Sequence, residues 1–380
     1  MLPKLYQTHF QQYLKPSDYL LLEILINLLQ SIKQVNLEKL ATSLPLPILF
    51  ESRRKKIQRF LSLPEWNVKI IWLSLIIQWI NTLIKQEEVL YLAIDRTRWQ
   101  STNILVISWI YNRRAIPLYF ELLDKKGNSN WSEQTKTIAH VISKLKKYKI
   151  VILGDREFCS VDLASWLRQK KVYFCLRLKK NNFVELESEI WYQLKQLGLK
   201  PGISFYLRGV KMTKCKQVVG FDLAAKWQKK HYGLTSEEGW FILTNLGSLE
   251  MAITAYKKRF GIEEMFRDFK KGGYNLEGTK VTGDRLISLL ILMSIAYTSS
   301  TFSGQKIKSI GVQNYIGRVK ELKRTSLRHS NFYIGLYGYS WLNFWFDLSD
   351  KITQLMSLAP NKRPFYQRGQ KAMMLILSAF

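Results

Sequence analysis

Two apolar runs that each end in an aspartate limit the fold of this chain most: "VLYLAIDRTRW" from Val89 and "KIVILGDREF" from Lys149. Unbroken apolar runs rich in branched residues read as strands buried on both faces, as in a sheet covered by helices. A carboxylate closing such a strand, Asp95 in one and Asp155 in the other, emerges at the carboxyl edge of the sheet. Ligand sites of open α/β sheets gather at that edge. The neighbouring segments fit the same plan. "NILVISWIYN" and "AIPLYFELL" follow the first run at hairpin spacing. "SEQTKTIAHVISKLKKY" has helical periodicity starting from an N-cap at Ser132. The helix "VDLASWLRQKK" and the strand "VYFCLRL" come after the second run. The predicted order is β-β-β-α-β-α-β, an α/β class with a mixed sheet and helices packed on it.

The flanks differ in texture. Residues 1–87 read as a helical domain, with an apolar stripe in "DYLLLEILINLLQSIKQ" and prolines at 45, 47 and 64 as punctuation. Two short helices there, the second carrying Arg53, Arg54, Lys55, Lys56 and Arg59, fit a DNA-reading helix-turn-helix or an ordinary bundle with a basic face. Residues 88–300 hold the α/β region. Within it, 181–249 read as a β-rich insertion, separate from the sheet that carries the aspartates. The apolar "DRLISLLILMSIAYTSS" is expected to form a buried helix backing the sheet, too short or too polar to span a membrane. Residues 301–380 form a basic, aromatic helical tail, a candidate for dimer or DNA contacts.

Lysine and arginine number 58 against 29 acidic residues, a formal charge of +29. An excess of that size, spread through every segment, calls for a polyanion: nucleic acid first, an anionic membrane surface second. Cys159, Cys175 and Cys215 contain no paired spacing, and His9, His140, His231 and His329 are scattered. That excludes a disulfide framework and a zinc ribbon, and the expected setting is the cytoplasm, in association with the nucleoid.

The remaining feature is "YKKRFGIEEMFRDFKKGGYN", residues 256–275. On one continuous helix at roughly 100° per residue, Tyr256, Arg259, Glu263 and Lys270 share a stripe about 60° wide. An aromatic hydroxyl, a guanidinium, a carboxylate and an ammonium do not make a core stripe. A surface salt-bridge set is the plain alternative. Three carboxylates converging on one spot (Asp95, Asp155 and Glu263) would repel one another unless divalent cations neutralise them. Mg²⁺, a hard ion held by a few carboxylates, suits such a site. A pair of such ions serves phosphoryl transfer, and a basic protein carrying that site implies work on the nucleic-acid backbone.

The spacing Y-(2)-R-(3)-E-(6)-K, together with the two earlier aspartates, resembles the YREK signature of DDE transposases from bacterial insertion sequences, the group called family four. The resemblance covers roughly residues 88–300. It implies an RNase H-like catalytic domain and a cut-and-paste reaction on insertion-sequence ends through a hairpin intermediate. It further implies Asp95, Asp155 and Glu263 as catalytic metal ligands for Mg²⁺, with Mn²⁺ as substitute. Tyr256, Arg259 and Lys270 would contact DNA phosphates. Trp240, in "GWFILTNL", matches a tryptophan that stacks near a flipped base, though a core role fits an apolar strand equally. Implied partners are the terminal inverted repeats, target DNA and a second copy of the chain; no membrane is implied. The chain departs from the pattern at Glu157, where the family commonly has glycine, and this carboxylate would either perturb metal binding or face solvent. A metal-dependent nuclease and a non-catalytic DNA-binding relic are the other readings of the same residues.

Overall fold

The computed structural model describes all residues except 1, 100–101, 124, 215–217, 230–237 and 322–327, so Cys215, His231 and most of "KELKRTSLR" lie outside the described residues. In chain order the N-terminal helices are α1 (Lys4–Tyr13), α2 (Pro16–Ile32), α3 (Leu37–Ser43), α4 (Phe50–Phe60) and α5 (Ser74–Leu83). Three strands follow: β1 (Val89–Trp99), β2 (Thr102–Tyr111) and β3 (Arg114–Leu123). Then come α6 (Trp131–Ile142), β4 (Lys149–Gly154), α7 (Val161–Gln169) and β5 (Tyr173–Arg177). A strand-only stretch holds β6 (Phe183–Glu187), β7 (Ile190–Gln193), β8 (Ser204–Met212), β9 (Val218–Lys226) and β10 (Trp240–Thr244). Helices α8 (Leu249–Lys258), α9 (Phe260–Phe269), α10 (Asp284–Ile310), α11 (Asn331–Ser357) and α12 (Arg363–Leu377) complete the chain.

Two compact units divide these elements. One comprises residues 72–267, the other residues 1–71 together with 268–380. These limits differ from the boundaries at 87/88 and 300/301 that composition implies, because the N-terminal and C-terminal helices share one core.

The first unit is built on a mixed sheet of ten described strands in the order β3-β2-β1-β4-β5-β10-β9-β8-β6-β7. The pairs β1–β4 and β4–β5 are parallel, while β1–β2 and β2–β3 are antiparallel. That order and polarity match the expected RNase H-like sheet. The β2–β3 hairpin closes through Asn112 and Arg113, both with positive φ, the backbone that the right-handed twist of a two-residue turn requires. Helix α6 starts at Asn130, not Ser132: Asn130 and Glu133 exchange the two bonds of a capping box, so the longer-range pairing outcompetes the serine.

The stretch 181–249 is not a separate sheet, contrary to the sequence expectation. β10 pairs antiparallel with β5 and with β9, so these strands extend the aspartate-bearing sheet. An uncovered β5 edge would leave a row of backbone donors and acceptors unpaired, and the apolar "WFILT" run meets that need.

Alternation assigns the faces. Cys175 on β5 reaches the Ala252 carbonyl of α8, Sγ to O 3.6 Å. Its neighbour Phe174 packs edge-on against Phe221, and the Arg168 guanidinium of α7 covers that ring. Successive strand residues point to opposite faces, so α7 and α8 lie on opposite sides of the sheet.

In the second unit α10 is the central helix. It is 27 residues long, and by length and hydropathy it would qualify as a membrane span, but 89% of that apolar window is buried in protein. Its partners within this unit include α2, α11 and α12. The crossing with α11 is close: a Cβ on Gly304 would stand 1.8 Å from the Asn331 carbonyl oxygen, and one on Gly335 1.8 Å from that of Ser300. Any side chain there would force the helices apart. Two groups on α10 are paired with side chains of the N-terminal helical region across the core. Tyr6 donates to Thr298 Oγ1 at 2.7 Å, and the Trp66 indole to the Ser288 carbonyl at 3.1 Å.

Candidate active site at the end of the parallel strands

The β1–β4 ladder ends at the pair Ile94–Gly154. Asp95 and Asp155 are each the next residue, so they stand level with one another on adjacent strands. Register also sets their direction. Ala93, Leu153 and Cys175 are mutual partners across β1, β4 and β5, and Cys175 faces α8. Asp95, Asp155 and Arg177, each two residues further on, share that face. Ile242 pairs with Arg177, which puts Trp240 on the same side. Asp95 does not close its strand as expected. β1 continues to Trp99 through antiparallel pairing with β2, and only the parallel pairing stops there.

Glu263 arrives from the helical side. The expected continuous helix over 256–275 is broken. α8 ends at Lys258, Arg259 occupies a tightened turn with bonds Arg259 N to Tyr256 O and Ile262 N to Arg259 O, and α9 begins at Phe260. The cause lies in packing: Gly261 sits against the β2–β3 hairpin, where a Cβ would be 3.3 Å from the Ala115 nitrogen and 3.4 Å from the Arg113 carbonyl oxygen. Met265 Sδ accepts from Ser108 on β2 at 3.6 Å, and Glu264 pairs with Arg114 at 3.6 Å. Tyr256, Arg259 and Glu263 therefore belong to one corner, not to one straight helix. Lys270 follows the last residue of α9 and falls in the other unit.

Arg259 organises the corner. Only 2% exposed, it donates from Nη1 to Asp95 Oδ2 at 3.3 Å and from Nη2 to Glu263 Oε1. Its guanidinium lies over the rings of Tyr256 and Phe260, at 5.7 and 5.1 Å from their centres. Trp240 packs edge-on against Tyr256, with ring centres 5.1 Å apart, and tilts over Phe260 at 5.9 Å. Tyr256 is fully buried, and among the described residues none meets its hydroxyl in good hydrogen-bond geometry.

The charges are under-neutralised. Burial pushes the Asp95 carboxyl up to about 6, against the opposing pull of Arg259 and of the Arg96 backbone N–H, which donates to Oδ1 at 2.8 Å. Asp155 Oδ1 is buried and accepts no hydrogen bond among the described residues; the Arg177 Nη1 is 3.8 Å away. Burial also pushes the Tyr256 phenol up to about 12. For Arg259, burial opposes the charge, but Tyr256, Asp155, Asp95 and Glu263 together raise its pKa beyond the usual guanidinium range.

An all-carboxylate donor set is the chemistry a hard divalent cation takes, and an unmatched Asp155 oxygen beside a half-buried Asp95 fits one. Among the described residues, no three acidic, histidine or cysteine side chains are grouped closely enough to hold a metal ion, since Arg259 stands between Asp95 and Glu263.

Sequence reasoning missed two groups. Glu157 neither faces solvent nor joins the metal corner: it accepts from Arg96 Nε at 2.9–3.0 Å and from the Ser129 backbone and hydroxyl at 2.8 and 2.7 Å. Arg96, the residue after Asp95, points to the opposite face and also donates to Asn103 and Asn128. The second group surrounds Glu238, just before β10. Its carboxylate meets Arg177, Arg156 Nη1 at 3.0 Å and Lys180 Nζ at 3.1 Å. Partial burial raises its pKa, but these three cations outweigh that and leave it below the usual range.

The family model described as "Transposase DDE domain" matches residues 107–298, half of the chain, which includes Asp155 and Glu263 and begins after Asp95. No curated protein sequence matches. Among solved structures, a piggyBac transposase in a synaptic complex with hairpin DNA is similar at 14% identity and a TM-score of 0.46, with 91% of this chain and 78% of that chain covered. By the extent of the family match, the chain belongs to the DDE transposase domain family.

Proposed function

We propose that this transposase cleaves DNA at the ends of an insertion sequence and joins the freed 3′ ends to target DNA, with a hairpin as intermediate. The observation that supports it most is the level placement of Asp95 and Asp155 on one sheet face, with Arg259 tying Asp95 to Glu263. In this reading Asp95 and Asp155 would hold Mg²⁺, for which Mn²⁺ substitutes, and Glu263 would join them on leaving Arg259. When bound, the metal supplies Lewis-acid stabilisation of the attacking and leaving oxygens. Arg259 keeps Asp95 and Glu263 ionised and aimed while the site is free of DNA. The unpaired Tyr256 hydroxyl is a donor in reserve for a phosphate oxygen. Trp240 offers an indole face on which an unstacked base gains ~1–3 kcal/mol. Lys270 and the exposed Lys55, Lys56 and Arg59 of α4 are assigned to DNA phosphates, the latter set within an end-binding N-terminal region.

Two ends processed together call for two copies. The C-terminal helices carry a face suited to that: Phe344, Leu348 and Leu355 of α11 and Phe365 of α12 are all exposed around a groove of about 310 Å³. Phe346 of α11, Leu358 just after it and Met374 of α12 are exposed as well. Exposed Asp347 and Asp350 on α11 complement Arg363 and Arg368 on α12, so a second copy is the occupant. Sedimentation of Phe344→Glu should yield monomer where the parent chain is dimeric.

The cleavage assay uses labelled duplexes of the terminal inverted repeats flanking the gene, with Mg²⁺ or Mn²⁺. Hairpin-ended products that vanish in Glu263→Gln are expected. Nicks without hairpins would instead favour a nuclease, and binding without cleavage a DNA-binding relic.

A further inference from the structure

The Glu238 cluster is more than an ion-pair network. Arg156, Arg177 and Lys180 come from three places: the turn after β4, the end of β5 and the loop that follows it. All three converge on one carboxylate. Three cations so close would repel one another if the carboxylate were missing. Glu238 is thus the anion that lets them assemble. Two of the three remain open to solvent, with the Arg156 and Lys180 side chains 46% and 47% exposed. The third, Arg177, is mostly buried and also reaches towards Asp155. A carboxylate and a phosphodiester present the same planar or forked pair of anionic oxygens to a guanidinium. What holds Glu238 also fits a DNA phosphate.

We propose that Arg156, Arg177 and Lys180 form a binding site for a backbone phosphate of DNA beside Asp155, and that Glu238 is an internal mimic occupying it until DNA displaces it. This rests on the DNA substrate of the reading above and adds a regulatory contact to it. Because Arg177 touches both Glu238 and Asp155, the incoming phosphate lies next to the second catalytic aspartate. Exchange of one anion for the other leaves the three cations facing a single negative charge in both states. The free carboxylate, returned to water, costs little. The device favours DNA that already sits in the active site over chance contacts of a strongly basic surface.

The test is equilibrium binding of the full chain to a fluorescein-labelled duplex of arbitrary sequence, across a series of NaCl concentrations and without divalent metal. Glu238→Gln removes the competing anion, and binding should tighten about tenfold. Glu187→Gln, which makes the same charge change at an exposed position of β6, controls for net charge and should change affinity less than twofold. Lys180→Ala should cost more in the Glu238→Gln background than in the parent chain, because in the parent the same change also weakens the hold on the competing Glu238. Equal tightening by both glutamine variants, or equal costs of Lys180→Ala in both backgrounds, would overturn the proposal. If Glu238→Gln does not fold, Arg156→Gln and Lys180→Ala in the parent chain decide. Each should flatten the slope of log affinity against log salt by about 0.9, as for one lost phosphate contact on duplex DNA. Unchanged slopes would dismiss the site. No cleavage is read, so inactivity of the chain as a transposase leaves this measurement intact, and failure here leaves the cleavage assay intact.

Discussion

The two faces of the sheet at the end of β1 and β4 place carboxylates in opposite surroundings. On one face Asp95 and Asp155 are held with fewer partners than their charge requires: one oxygen of Asp155 accepts nothing, and burial raises the pKa of Asp95. On the other face Glu157, two residues from Asp155, is saturated by Arg96 and Ser129, and Arg96 by Glu157, Asn103 and Asn128. One turn of chain, "DREF", supplies both. A carboxylate that stabilises a fold has its lone pairs matched, whereas one kept for chemistry leaves them available. The helical corner repeats the lesson with Tyr256, whose buried hydroxyl is unmatched.

The comparison is broken or sharpened by substitution. The largest effect is expected at Asp155→Asn, which should reduce cleavage of labelled ends by at least about a hundredfold, the scale for loss of one electrostatic element of a site. Its stability in urea should equal or exceed that of the parent chain, since a half-buried charge with one unmatched oxygen is removed. Next, Glu157→Gln should lower unfolding stability by about 1–3 kcal/mol, the range for charged hydrogen bonds lost from a partly buried cluster. Cleavage by the fraction that stays folded should be preserved. Loss of cleavage with the urea midpoint unchanged would erase the distinction between the two faces. Tyr256→Phe is smaller still: the free protein should be unaffected or stabilised by up to ~1 kcal/mol, while binding to element ends weakens if the hydroxyl meets a phosphate. Equal binding by both proteins would make the ring, with its contacts to Trp240 and Arg259, the whole role of Tyr256.

A last prediction concerns the helical unit. His9 is buried and its Nε2 donates to the Ile71 carbonyl at 3.0 Å. Burial lowers its pKa from 6.5, against the smaller opposing effect of that bond. The unfolded chain therefore binds the proton more readily than the folded one. The contribution of neutral His9 is present above pH 6.5 and lost as pH falls through the folded value. Thermal unfolding of the parent chain should fall more steeply on acidification than that of His9→Gln, and parallel curves would remove His9 from the acid sensitivity.

Much of the site was legible because its signals are local. "VLYLAID" and "KIVILGD" each encode a buried strand and a carboxylate in adjacent letters, and the predicted β-β-β-α-β-α-β order is the order observed. Arg259 and Glu263 were identifiable as a pair, since four residues on a helix bring side chains together. Their geometry was not. A continuous helix is the default for such a sequence, and the turn at Arg259 depends on Gly261 meeting the β2–β3 hairpin, a contact more than a hundred residues away. Glu157 was legible only as a departure, because its partners Arg96 and Ser129 are remote in sequence.

By itself, the sequence determined which segments are strands, which carboxylates terminate apolar runs and that the chain carries a large positive charge, because hydrophobic periodicity, turn chemistry and net charge are summed over neighbouring residues. Only the tertiary structure decided that β10 joins the aspartate-bearing sheet, that Arg259 is a buried clamp between Asp95 and Glu263, and that Glu238 gathers three cations beside Asp155. Each of those depends on strand register and on pairs of charges distant in the chain, whose energies exist only once folding has brought them within a few ångströms.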